Sequence, residues 1–111
     1  MRKQRANIII VLVTTSSRKE ATKIARAMIR EKRAACVSIV PDLISIYCWQ
    51  GKVQKSREAL LMLKTTRRQY SALERSICAM HSYEVPEVIS IPVDKGLPQY
   101  VDWVIRETAG N

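Results

Sequence analysis

Residues 81 to 87 read His81-Ser82-Tyr83-Glu84-Val85-Pro86-Glu87, in a chain that is otherwise mostly aliphatic and basic. His81 is the only histidine, and Cys78 precedes it by three residues, a spacing that puts both side chains on one face of a helix. A thiolate and an imidazole suit Cu(I) or Zn(II). Two ligands do not complete a site, since zinc takes four, or three plus water. The remaining ligands would come from elsewhere, including from a neighbouring subunit. Cys36, among Ala34, Ala35 and Val37, acts as a small hydrophobe unless it is exposed beside a positive charge. His81 and Cys36 are the candidate metal ligands. Tyr47 and Trp49 alternate towards Gln50-Gly51, where their amphipathic rings suit subunit packing or a ligand platform. Glu84 and Glu87 flank Val85-Pro86, and paired carboxylates can do acid–base work. No nucleophile is placed beside a base, and there is no phosphate loop, no G-x-G-x-x-G and no H-E-x-x-H. We therefore expect no enzyme.

The chain of 111 residues has the length of one domain, 1–111, with a basic tail at 1–6 and a frayed end at 109–111. Hydrophobic residues make up 47%, enough for a core, though a modest one that a partner subunit would help. The formal charge is +9, from 19 Lys and Arg against 10 Asp and Glu. That balance favours a polyanionic partner, but the charges are spread over many segments, as on a solvated basic surface. Nucleic acid is disfavoured: there is no Phe, and no aromatic strand motif of the RNA-binding type. Arg2, Lys3 and Arg5 precede Ile8 to Val13 as in a signal peptide, but the apolar run is short and no small-residue cleavage site follows. No segment is long enough to cross a membrane. Cys36, Cys48 and Cys78 form no disulfide framework, which points to a reducing compartment, hence cytoplasm.

The elements that must position these residues are legible. Ile8 to Val13 is a continuous β-branched apolar run, expected as a central strand. Ser17 and Glu20 form a capping box ahead of Ala21, Ile24, Ala25, Met28 and Ile29, an apolar stripe that predicts a helix over about 17–32. Cys36 to Val40 reads as strand, and Pro41-Asp42 as a bend or bulge. Leu43 to Trp49 resumes, with Ile44, Ile46 and Cys48 on one face and Ser45, Tyr47 and Trp49 on the other. Gln50-Gly51 turns the chain into a returning strand over 52–65. Thr66 and Gln69 make a second capping box, and Tyr70, Leu73, Ile77 and Met80 predict a helix over 67–80. Val88 to Val93 is the last strand. Pro98 opens a short terminal helix with Tyr100, Val101, Val104 and Ile105 on its apolar face.

The order predicts an α+β, ferredoxin-like βαββαβ sandwich with a long hairpin between the second and third strands and a short C-terminal helix. Helices are expected on one face of the sheet. The hairpin then leaves an exposed edge and an apolar face, for which self-association in a closed ring is the remedy.

From Ile8 to about Thr108 the chain resembles the CutA family of divalent-cation tolerance proteins. The likeness rests on Val13-Thr14-Thr15, on Lys32-Arg33-Ala34-Ala35-Cys36-Val37, and on Ser45-Ile46-Tyr47-Cys48-Trp49-Gln50-Gly51-Lys52. Leu63-Lys64-Thr65, the 81–87 segment and Tyr100-Val101-Asp102-Trp103 complete it. The resemblance implies a homotrimer whose long hairpins pair between subunits, a cytoplasmic setting, and a role in tolerance of copper and other divalent cations. Copper or another divalent cation is then the implied ligand, with no obligatory cofactor. Some bacterial members carry a copper site with a strand-one Cys and a His-His pair. Here those positions are Val13 and Met80, and only His81 remains. Such trimers also resemble PII signalling proteins, which implies a small effector or protein partner in an intersubunit cleft lined by Tyr47, Trp49, Lys64, Tyr83 and Glu84.

Overall fold

The computed structural model describes residues 7–110. The basic tail expected at 1–6 and the last residue of the expected frayed end lie outside them. Strand β1 (Ile8–Thr15) is followed by helix α1 (Arg18–Arg30), strands β2 (Cys36–Trp49) and β3 (Lys52–Thr66), helix α2 (Tyr70–Met80), strand β4 (Val88–Pro92) and helix α3 (Pro98–Thr108). The sheet order is β2-β3-β1-β4 and every neighbouring pair is antiparallel. This is the split β-α-β arrangement expected of a ferredoxin-like sandwich.

Central β1 sends alternate side chains to opposite faces of the sheet. Ile9, Val11 and Val13 point into a core built with Leu61, Leu63, Ile24, Met28, Leu73 and Ile77, all buried. Helices α1 and α2 cover that face. Helix α3 does not join them: Val101 and Val104 pack on Ile8, whose side chain points the opposite way from Ile9. The expectation of three helices on one face is thus corrected. The terminal helix covers one end of the other face, because Ile8 offers it the apolar contact there.

The helix ends show which local signals act. Ser17 Oγ accepts the Glu20 N–H at 3.1 Å, as an N-cap should. The reciprocal half of the box shifts by one residue, with Glu20 Oε1 accepting from Ser16 N–H at 3.2 Å. Helix α1 closes through Lys32, whose φ of 60° lets Arg33 N–H reach Met28 O at 2.9 Å and Lys32 N–H reach Ile29 O at 3.1 Å. This is a Schellman ending made without glycine. The second expected capping box does not form. Thr66 makes no side-chain cap bond, a 3-10 turn at Arg67–Gln69 intervenes, and α2 starts at Tyr70. Gln69 is instead buried, donating to Thr108 O at 2.8 Å, so a tertiary partner outcompetes the local one.

The hairpin exceeds the rest of the sheet. Its strands have 14 and 15 residues, against the usual five or six. Strand β1 pairs with β3 only from Thr66 back to Ala59, so the distal hairpin projects alone. The radius of gyration is 14.6 Å, above the roughly 13 Å of a compact chain of this length. Gln50 and Gly51 both have positive φ (51° and 79°), as a two-residue I′-type turn requires, and Trp49 pairs with Lys52 across it. Between Val40 and Leu43 the register slips by one residue, and Asp42 takes a φ of 57°. The expected interruption at Pro41-Asp42 is therefore a bulge. The sheet face away from α1 and α2 carries Ile89 (51% exposed) and Ile91 (48%).

Leu61→Ala removes a fully buried side chain between β1 and α1. It should cost about 2–5 kcal/mol in urea unfolding, whereas Lys23→Ala on the exposed face of α1 should stay within about 0.5 kcal/mol.

Candidate functional site

The bulge decides what the hairpin displays. Side chains alternate with period two, so one inserted residue exchanges faces. Before the bulge, Cys36, Ser38 and Val40 oppose Lys64, Met62 and Leu60; after it, Leu43 and Ser45 oppose Glu58 and Ser56. Odd-numbered residues of distal β2 thereby join the face of even-numbered β3 residues. Tyr47, Trp49, Ser56 and Glu58 come to one surface, and Tyr47 OH bonds Ser56 Oγ at 2.8 Å.

The other wall is the segment after α2. His81 ends that helix in extended backbone and turns its ring inward, its side chain fully buried. Its Nε2 donates to the carbonyl of Thr14 at 2.8 Å, while Nδ1 accepts the Tyr83 N–H at 3.0 Å. The neutral Nε2–H tautomer satisfies both partners. Ser82 is tied to α1, its N–H reaching Glu20 Oε2 at 2.7 Å and its hydroxyl reaching Oε1 at 2.9 Å. Tyr83 lies against the His81 ring, centroids 4.8 Å apart, and its hydroxyl donates to Glu58 Oε2 at 2.7 Å. The loop is therefore pinned at three successive residues to β1, α1 and β3.

Two titrations follow from these contacts. Burial pushes the Glu20 carboxyl up, but hydrogen bonds from the Ser82 and Ser16 backbone N–H and hydroxyl groups together outweigh it and hold it below the ordinary carboxylate value. Burial, then the hydrogen bond and charge of Glu58, push the Tyr83 phenol well above its usual value. Tyr83 thus remains a proton donor throughout the neutral range.

Between loop and hairpin lies a groove of roughly 790 Å³, within the range of small-molecule sites. It gathers four of the five residues expected in a cleft: Tyr47, Trp49, Tyr83 and Glu84. It adds Glu58 and Glu87. The fifth, Lys64, lies elsewhere. It sits six residues along β3 from Glu58, about 20 Å in extended chain, beside Cys36 Sγ at 3.8 Å and hydrogen-bonded to Ser38 Oγ. Tyr100 flanks that thiol, its phenol raised first by burial and then by Cys36.

The metal candidates are not brought together within one chain. Cys36 pairs through Lys64 to Ile10, whereas His81 contacts Thr14, four residues along β1. Cys78 is exposed while His81 is buried, so the expected shared helical face is not realised. Among the described residues no three His, Cys, Asp or Glu side chains are grouped to hold a metal ion. Both His81 nitrogens are engaged, so coordination there would displace a hydrogen bond. The described residues of a single chain thus do not fit a resident metal.

Sequence reasoning missed Glu58 and Glu20. The Glu58 contact with Tyr83 spans 25 residues and the Glu20 contact with Ser82 spans 62. The only local hint was the capping box that placed Glu20 at the start of α1.

Fold and groove define a class: a ferredoxin-like α+β subunit with an overlong hairpin and a polar-aromatic groove at its base. The chain belongs to the CutA1 family, for residues 9–107 match the family described as CutA1 divalent ion tolerance protein. It is 45% identical over 101 residues to the divalent-cation tolerance protein CutA of Thermus thermophilus, covering 91% of this chain and 97% of that one. It is 40% identical over 102 residues to mouse protein CutA, covering 92% of this chain but 58% of that one. The chain thus spans a little over half of the mouse relative. The structure of CutA1 from Oryza sativa superposes with a TM-score of 0.92 at 39% identity, covering 97% of this chain and 99% of that one. The Thermus thermophilus structure gives 0.90 at 42% identity, covering 91% and 98%. The family is named for tolerance of divalent ions and not for a reaction.

Glu20→Gln tests the loop anchor. A depressed folded value means that the carboxylate contributes stability above about pH 4.5, lost as the pH falls through the folded value. The variant should lose about 1–3 kcal/mol at pH 7 and show a flatter fall in melting temperature between pH 5 and about pH 3 than the parent.

Proposed function

We propose that this chain serves divalent-cation tolerance as a self-associating, ligand-binding subunit rather than as an enzyme. The groove at the base of the hairpin, with Tyr47, Trp49, Tyr83 and Glu84, is its recognition site. One observation carries this reading: a loop anchored by His81, Ser82 and Tyr83 holds polar and aromatic side chains open to solvent in a groove of ligand size. Rigid support beneath exposed functional groups is what a binding site needs, and core packing alone gives no reason for it.

The surface supports self-association. Ile44, Ile46 and Val53 of the hairpin and Ile89 and Ile91 of the sheet face are all exposed large apolar residues. Edge strand β2 also offers unpaired backbone groups. A closed homotrimer would bury both, and would make the groove a cleft between subunits. The three free cysteines suit a reducing compartment, so we place the protein in the cytoplasm. Sedimentation equilibrium at micromolar concentration should give about three times the 12.7 kDa chain mass, and Ile91→Asp should shift it towards the single chain. A folded parent that sediments as one subunit would remove the shared clefts.

A second reading, metal binding at Cys36 and His81, has one observation in its favour. The Cys36 thiol is only half-buried and lies on the sheet face available to a neighbouring copy, where ligands from several subunits could converge. Calorimetric titration with Cu(I) and Zn(II) should then show weaker binding in Cys36→Ser and His81→Ala. Equal affinities in all three proteins would exclude both residues from metal binding.

A further inference from the structure

The groove has the opposite electrostatic character to the chain that carries it. The protein has 19 Lys and Arg against 10 Asp and Glu, yet Glu58, Glu84 and Glu87 all line this one depression. No Lys or Arg lines it among the described residues. Two basic residues of the distal hairpin face away from it: Lys55 and Arg57 stand at odd positions of β3, opposite in direction to Ser56 and Glu58, while Lys52, on the same face as Glu58 but out at the turn opposite Trp49, is not among the lining residues. Arg18 pairs with Asp42 at the bulge, at 3.6 Å. Aromatic rings accompany the carboxylates. Trp49 is 60% and Tyr47 43% exposed.

We propose that this groove binds a small organic cation, an amine or polyamine whose ammonium meets Glu84 and Glu87 while its methylenes lie on Trp49 and Tyr47. This proposal rests on reading the groove as a ligand site and adds the chemical class of the ligand. Carboxylates and π faces together select a cation, since the ring face carries the negative end of the aromatic quadrupole. They disfavour an anion, which would find no cationic partner among the residues that line the groove. They also disfavour a divalent metal ion, which needs converging oxygen ligands and sheds its water reluctantly. Glu58 Oε2 is already engaged by the Tyr83 hydroxyl, so Glu58 contributes field and shape more than direct contact. The +9 chain repels cations at long range, but that field is screened beyond about 8 Å at physiological salt. Contacts inside the groove therefore decide binding.

The test is calorimetric titration of the intact protein with spermidine, with tetramethylammonium, with ATP, with magnesium chloride and with a lysine-rich peptide. Spermidine should bind, and rising salt should weaken it. Glu84→Gln combined with Glu87→Gln should abolish measurable binding. Trp49→Ala should weaken it roughly two- to five-fold, the worth of an exposed cation–π contact. Arg75→Ala, on the exposed side of α2, should leave it unchanged, and melting curves establish that each variant is folded. ATP binding that depends on Trp49, with no spermidine binding, would overturn the ligand class and leave the groove as a site. Peptide binding far tighter than spermidine binding would assign the groove to a protein partner and overturn the small-molecule proposal. No Trp49-dependent binding of any probe would remove both the proposal and the reading on which it rests.

Discussion

Strand β1 has eight residues and its partner β3 has fifteen. That mismatch governs the molecule. Where β1 ends, at Thr15 opposite Ala59, the hairpin loses its sheet neighbour. Proximal β3 residues such as Leu61 and Leu63 are core, whereas distal ones such as Val53 stand 79% exposed. The same strand is therefore a structural element over one half and a display arm over the other. The groove sits where the two regimes meet, with Thr14 on one side and Glu58 on the other.

Two devices turn this display arm into a site. The bulge at Pro41-Asp42 changes the parity of β2, so that Tyr47 and Trp49 share a surface with Ser56 and Glu58. The loop after α2 is then held against that surface. Glu20 does double duty here: the residue that helps cap α1 also receives Ser82. A cap satisfies donors at a helix start, and the spare oxygen lone pairs of a carboxylate leave room for a second client. His81 acts in the same way, joining Thr14 to Tyr83 through its two ring nitrogens. A residue type that suggested metal chemistry serves in this fold as a buried hydrogen-bond bridge.

Basic character overall and acidic character locally are compatible because electrostatics acts over different distances. The net charge sets solubility and long-range attraction, while the groove acts on what already touches it. The alternation of β3 keeps Lys55 and Arg57 on the side opposite Glu58, while Lys52, on the same side as Glu58, stands six residues away at the turn.

The order of elements, the apolar stripes of α1 and α2, the Ser17 cap, the Gln50-Gly51 turn and the bulge were all legible in the sequence. Each rests on interactions within a few residues, and periodicity records those directly. Legibility failed where a distant partner competed. Gln69 left its local capping role for Thr108, 39 residues away, and Ser82 found Glu20, 62 residues away. Helix α3 took the face opposite to the other helices because Ile8 was there to receive it. The sequence alone determined which side chains alternate and which lie on helical stripes. Only the tertiary structure decided which of those faces meet, because strand parity and loop anchoring depend on partners that local spacing does not encode.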